Sequence, residues 1–271
     1  MSDAHGAGFE ATVRDEILRL RRPETRWLST GWNGGRSRED VAYNVSVPEG
    51  FDRTDLDAYR DERLSRAEFV AGGSDGVTPT PSSTPPTLFT GVSMTHARGA
   101  RHGPVVVYAT AGLSNPAMLP VEPEAVTAGI DEGGSDEHGS AASSIAHSTD
   151  STGPGRTGTV NLLVGTTRQL ADGAVANLVA VAAEAKAATL LSTAGVPGTT
   201  SDAIVVGDDP TGTSTTFSGS ATPVGASTRI CVRDAIRASL QSRYPDGDLP
   251  GPAEEAEHGV VADEAAEVFE L

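Results

Sequence analysis

One stretch constrains the fold more than any other. Residues 159–165 (TVNLLVG) are a short apolar run. Residues 172–191 (DGAVANLVAVAAEAKAATLL) are built from Ala and other strong helix formers. Residues 203–207 (AIVVG) are a second apolar run. Strand, 20-residue helix and strand make a βαβ unit, with its two strands parallel and its crossover right-handed. Residues 105–109 (VVVYA) form the strongest buried strand of the first half. Asn161 and Asp202 stand at the starts of the βαβ strands, whereas Ser114 and Asn115 stand just past the end of the 105–109 strand. These groups share one pocket only if the 105–109 strand runs antiparallel to the other two. The expectation is an α/β (α+β) single domain with a mixed sheet flanked by helices.

The remaining elements are read from local signals. Phe9, Ala11 and Val13 alternate, Asp15-Glu16 interrupts, and Ile17, Leu18 and Leu20 follow. This predicts a β-hairpin, with a short amphipathic helix as the alternative. The Gly-rich stretch 27–37 (WLSTGWNGGRS) reads as a loop before a strand at 41–47. Thr54 is a candidate N-cap for a helix to about Phe69. Residues 72–86 read as a Pro/Ser/Thr/Gly linker and 88–94 as a strand. Thr222-Pro223 opens a last helix to about Arg243. The domain is expected to span 1–243, with a disordered acidic insertion at about 121–155 and a mostly disordered acidic tail at 244–271.

Composition narrows the function classes. The formal charge is -17, and 19 of the 20 basic residues are Arg, with Lys186 the one Lys. The insertion carries seven acids and no base, and the tail nine acids and no base, so the other 208 residues are near neutral. Such a charge argues against nucleic acid and anionic membrane surfaces as partners. No apolar run approaches the roughly 20 residues of a membrane span and no signal peptide opens the chain, so the expected location is cytoplasmic. One cysteine, Cys231, excludes an internal disulfide and a Cys-based zinc site. Near-absence of Lys with abundant acid is the composition of an extreme halophile.

No phosphate-binding, dinucleotide or paired-His metal motif is present, and no metal is expected. Asp136, His138 and His147 fall in the acidic insertion and read as solvated. His96 and His102 flank a Gly/Arg loop. The candidates that remain are polar residues beside apolar elements. Asn161 lies inside a strand. Asn177 and Glu184, seven apart, share a helix face, and Glu184 is either a surface charge or a buried carboxylate set for proton transfer. Lys186 is about 200° around the helix from Glu184, so the two cannot face one pocket. Asp202 either caps a turn or serves a site. Gly31, Gly34 and Gly35 flank Asn33 in a loop that lets backbone N–H groups approach a ligand.

These blocks carry a family resemblance. Residues 158–191 (GTVNLLVGTTRQLADGAVANLVAVAAEAKAATLL) with 198–207 (GTTSDAIVVG) resemble the CbiZ-type adenosylcobinamide amidohydrolases. Residues 27–35 (WLSTGWNGG), the strand Asn44-Val45-Ser46-Val47 and 107–117 (VYATAGLSNPA) are similar to the family's other blocks in order. The resemblance covers roughly 9–243, skipping the insertion and the tail.

It implies hydrolysis of the amide joining the aminopropanol arm to the corrin ring of adenosylcobinamide, in corrinoid salvage, with no cofactor beyond the cobalt the substrate carries. On that reading Glu184 or Asp202 is the general base and the other carboxylate holds position or acts as acid. Lys186 orients a carboxylate such as Asp202 or contacts a substrate amide, and Ser114 leads as nucleophile if one exists. Asn115 and Asn161 are candidate donors to the carbonyl oxygen. Asn33, Gly34, Gly35, Asn44, Thr110, Asn177 and Thr200 are candidates for gripping the corrinoid. The alternatives are a non-catalytic corrinoid-binding or carrier protein and a generic amidase. A homo-oligomer is left open.

Overall fold

The computed structural model describes residues 8–69, 84–120, 158–250, 253, 256 and 258–270. The acidic stretch 121–155, with Asp136, His138 and His147, lies outside the described residues, as does all but the end of the 72–86 linker.

The chain opens with β1 (Glu10–Arg14) and β2 (Ile17–Ser29), joined by a two-residue turn. Asp15 and Glu16 both take positive φ, 46° and 58°, which matches the twist of a tight hairpin. β3 (Gly35–Ser46) returns along β2, α1 (Leu56–Arg66) follows, and β4 (Thr87–Thr90) adds parallel to β3. Then come β5 (Arg98–His102), β6 (Val105–Ala111) and β7 (Pro116–Met118). The second half holds β8 (Val160–Leu170), α2 (Asp172–Ala194), β9 (Gly198–Thr199), β10 (Ala203–Thr215), α3 (Pro223–Arg243) and β11 (Val260–Val261).

Eight strands make one sheet, ordered β4-β3-β2-β10-β8-β6-β5 with β1 paired to β2. A small second sheet runs β11-β7-β9. β8 and β10 are parallel, while β6 runs antiparallel to β8, so the sheet is mixed as the strand-end argument requires.

Side chains alternate across the central strands. Val160, Leu162 and Val164 of β8, Ile204 and Val206 of β10, and Val105 to Ala111 at every second position of β6 pack against α2 and α3. The opposite face, with Leu163, Val205 and Val106, is covered by Leu18, Leu20, Ala42 and Leu88, because the β2–β3 ribbon and β4 fold back over it. Phe9 and Trp27 meet edge to face at 5.8 Å within this layer. They press on Gly165 and Gly207, where an added Cβ would lie 2.6 and 2.3 Å from the rings. α1 and the Ala67 that follows it cover the outside of the ribbon, with Tyr59, Leu64 and Ala67 against Ile17, Tyr43 and Val45.

Several local expectations change. The stretch 27–37 is mostly strand: β2 runs to Ser29 and β3 begins at Gly35, leaving a short tip. Its small polar residues hid a buried Trp27, whose indole N–H donates to the Glu39 carbonyl at 2.8 Å. The N-cap position of α1 is Asp55 rather than Thr54, and the Asp55 carboxylate bonds Arg53 instead of capping the helix. β4 stops at Thr90 and a 3-10 turn follows at Met94–His96. Thr222 does cap α3, accepting from Gly225 N at 3.1 Å. α2 is long and apolar enough to cross a membrane by length and composition, with mean hydropathy 1.5. Its Val175, Leu178, Val181 and Ala182 instead pack into the sheet core.

Candidate active site

One corner of the sheet gathers a connected group of buried polar residues. There β6 ends and β8 and β10 begin, so Thr110 sits directly opposite Asn161, and Asn161 opposite Ala203. Asn44 arrives from β3 in the folded-back layer. Its Nδ2 donates to Thr110 Oγ1 at 2.9 Å. Asn161 Nδ2 donates to Asn44 Oδ1 at 3.0 Å and to the Phe89 carbonyl at 2.9 Å. Asn44, Thr110 and Asn161 are buried. Asparagine is disfavoured in strand interiors, and here the mutual bonds offset the burial. Both amide hydrogens of Asn161 are committed, which fixes the rotamer and leaves Oδ1 buried with no partner.

The loop after β6 and the turn before β10 close over this network. Asn115 Nδ2 donates to Thr200 Oγ1 at 2.6 Å, and Thr200 N donates to the Asn115 carbonyl at 3.1 Å. Asn115 Oδ1 is a second buried acceptor without a partner. Thr159 Oγ1 and Ser201 Oγ share a hydrogen bond of 2.9 Å. Residue 158 has to be Gly, since a Cβ there would lie 2.3 Å from Ser114 N and 2.6 Å from its Oγ.

Asp202 ties the corner together. Its carboxylate accepts from Val160 N at 2.8 Å, Thr199 N at 3.0 Å, Thr199 Oγ1 and the Lys186 ammonium. Lys186 reaches it from α2, with both side chains about a tenth exposed. Gly198 makes room for the pair, because a Cβ there would lie 2.6 Å from each charged group. Four donors fill the roughly four lone-pair positions of a carboxylate.

A family model described as adenosylcobinamide amidohydrolase (CbiZ) matches residues 4–247. The chain belongs to this family. A curated adenosylcobinamide amidohydrolase of Halobacterium salinarum is 50% identical over 261 residues, covering 96% of this chain and 99% of that protein. The likeness therefore extends past the 9–243 expected from the motifs alone, into the acidic stretches.

Against this amidohydrolase framework, the corner unites Asn44, Thr110, Ser114, Asn115, Asn161, Lys186, Thr200 and Asp202. It does not take in Glu184. That carboxylate is largely exposed on the outer face of α2, 3.3 Å from Arg229 of α3. The reason is the helical phase already noted, since the turn that aims Lys186 inward aims Glu184 outward. Asn177 also stays outside, exposed and donating to Ser218 Oγ at 3.0 Å.

Asn33, Gly34 and Gly35 occupy the tip between β2 and β3, with Asn33 at φ 49° and Gly35 at φ 113°. A cavity of about 240 Å³ lies there, lined by Trp32, Asn33, Arg36, Arg60 and Pro86 among others. The tip connects to the corner through Trp32, which lies in the 27–35 loop expected to grip the ligand without being singled out, and Phe89, which sequence reasoning missed. Trp32, 39% exposed, stands edge-on to Phe89 at 6.3 Å, and the Phe89 carbonyl holds Asn161. The available signal was a tryptophan inside a Gly-rich turn of a chain with 4% aromatics.

His96 and His102 bond to Ser242 and Ser227 of α3 instead of lining the corner. Burial, with Arg243 and Arg98 nearby, pushes the His96 imidazole below its ordinary value. Among the described residues no group of three or more His, Cys, Asp or Glu is placed to hold a metal ion.

Proposed function

We propose that the chain hydrolyses the amide linking the aminopropanol arm to the corrin ring of adenosylcobinamide at this corner. The products are adenosylcobyric acid and aminopropanol or its phosphate, and the role is corrinoid salvage for cobamide synthesis. The observation that carries the placement is the buried Lys186–Asp202 pair, set beside Asn115, Thr200 and Asn161 where β8 and β10 begin. Corrinoids present amide groups around their rim, and the scissile group is itself an amide.

The roles follow from which atoms are committed. Asn161, with both hydrogens spent on Asn44 Oδ1 and the Phe89 carbonyl, holds the network in place rather than acting as the donor first expected. Asp202, with its lone pairs filled, holds Lys186 and the 198–202 turn rather than taking a proton from water. The Lys186 ammonium gives one of its three hydrogens to Asp202 and has others for the carbonyl oxygen or the leaving amine. Ser114 is the nucleophile if an acyl-enzyme forms. Trp32 offers an exposed ring for a flat ligand to stack on.

No resident cofactor is required on this reading, since cobalt arrives within the substrate. The Arg-for-Lys, acid-rich composition supports a halophilic protein.

Incubating the purified protein with adenosylcobinamide and separating the products by mass tests the reading. Adenosylcobyric acid is the expected product. Tight binding of unchanged ligand would make the protein a carrier, and turnover of simple amides alone would make it a generic amidase.

A further inference from the structure

We propose that segment 262–270 of one copy of this chain docks in the groove between α2 and α3 of a second copy, giving a reciprocal dimer. The groove encloses about 670 Å³. Its α2 wall is small, with Ala185, Ala188 and Thr189, and its α3 wall carries Arg229, Arg233 and Arg237. Spacing by four puts the three guanidinium groups on one face. Arg229 is paired with Glu184 and Arg233 with Asp234, whose charge also acts on Arg237, so three guanidinium groups share two carboxylates.

The segment ADEAAEVFE complements that groove in two ways. It carries four acids, Asp263, Glu264, Glu267 and Glu270, on a chain whose arginine stripe is otherwise partly unneutralised. It also carries Val268 and Phe269, which are 93% and 73% exposed. Large exposed apolar residues mark interaction surfaces when they cluster. Of the eight among the described residues, five lie on the last turn of α2, beside β7 or in this tail: Leu119, Leu191, Val260, Val268 and Phe269.

The arm starts from a fixed point. β11 pairs with β7, and Ala262 N donates to the Met118 carbonyl at 3.0 Å. β7 in turn pairs with β9, which follows the C-terminal end of α2. The arm therefore leaves close to the end of the helix that forms one groove wall. Nine extended residues reach roughly 30 Å. Within its own chain Val268 and Phe269 are uncovered, which leaves them available to enter the groove of another copy. A two-fold arrangement then fills both grooves and covers both arms. In molar salt, where the Debye length is about 3 Å, the two apolar side chains supply the attraction and the arginines set the register.

Light scattering of the full chain in high KCl should give twice the 27.7 kDa chain mass. Truncation after Val261 and Phe269→Asp should each halve it while leaving the circular dichroism spectrum unchanged. As a second readout, Val268→Cys and Ala188→Cys chains are mixed and oxidised. An intermolecular disulfide between the two kinds of chain is expected, with buried Cys231 silent. A monomeric full chain, a dimer that survives both tail variants, or a cross-link seen only when both cysteines are in one chain would overturn the proposal.

Discussion

Replacing Lys186 by Met removes one member of the pair that pins the corner. Lys186 and Asp202 have side chains 12% and 10% exposed, so the pair belongs to the buried class. Breaking such a pair by deleting one partner costs ~3–5 kcal/mol. Asp202 would keep Val160 N, Thr199 N and Thr199 Oγ1, each a charge-assisted bond of ~1.5–3 kcal/mol. The Lys186→Met cost should therefore fall at or just below the bottom of that range, ~2–3 kcal/mol. Asp202→Asn is worse. It strands a buried ammonium and turns an amide NH2 toward groups that are themselves donors, for ~4–5 kcal/mol.

At ~2–4 °C per kcal/mol for a domain of this size, melting should drop ~4–12 °C for the first variant and ~8–20 °C for the second. The double variant should cost less than the sum, with a coupling of ~1–3 kcal/mol. Thermal melts in high KCl measure all three. Because the 198–202 turn sets Thr200 on Asn115, kcat/KM should fall in each single variant. The reasoning is refuted if Lys186→Met lies within ~1 kcal/mol of the parent while Asp202→Asn is no worse, or if the two effects simply add.

Asn161→Ala strands Asn44 Oδ1 and the Phe89 carbonyl at ~1–3 kcal/mol each, and should cut kcat/KM at least about tenfold in the product assay. Trp32→Ala should raise KM while shifting stability by less than ~1 kcal/mol, with Trp32→Phe retaining most affinity, as steady-state kinetics and melts would show. At Asp209, burial pushes the carboxyl up, but the bonds from Arg22 and Thr211 outweigh it and hold the group below its ordinary value. Its stabilisation is therefore complete above the unfolded value of about 4 and lost as pH falls through the lower folded value. Asp209→Asn should flatten that acid limb in urea midpoints measured against pH. Burial pushes the Cys231 thiol up to about 11, so iodoacetamide at about pH 8 should label it only after unfolding, read by mass spectrometry.

Much of the fold is written in local pattern. The βαβ unit, the Thr222 cap and the first hairpin each follow from a handful of neighbouring residues. Strand polarity followed from asking which end of each strand carried polar side chains, and the antiparallel Thr110–Asn161 pair fits that answer. The stretch around Trp27 was not legible because its glycines and serines look like loop, while the tertiary layer they pack into is what makes them strand. Helical phase already said that Glu184 and Lys186 point apart, yet which one points inward is decided by the sheet, not by the helix. The link through Phe89 is a backbone carbonyl, so its side chain carries no trace of the role. The saturation of Asp202 depends on Thr199 and Val160 N–H groups whose aim exists only once β8 and β10 are aligned.

The Asn44–Asn161 bond spans 117 positions in sequence, and Asn44–Thr110 spans 66. Ordering so much chain before such contacts reward it slows folding, because loop-closure entropy comes first. The network also cannot form in a fragment that lacks either half of the chain. It is therefore a reporter of complete assembly: a probe reading Asn161 in the folding reaction should mature with the slowest phase, after the local βαβ unit is in place.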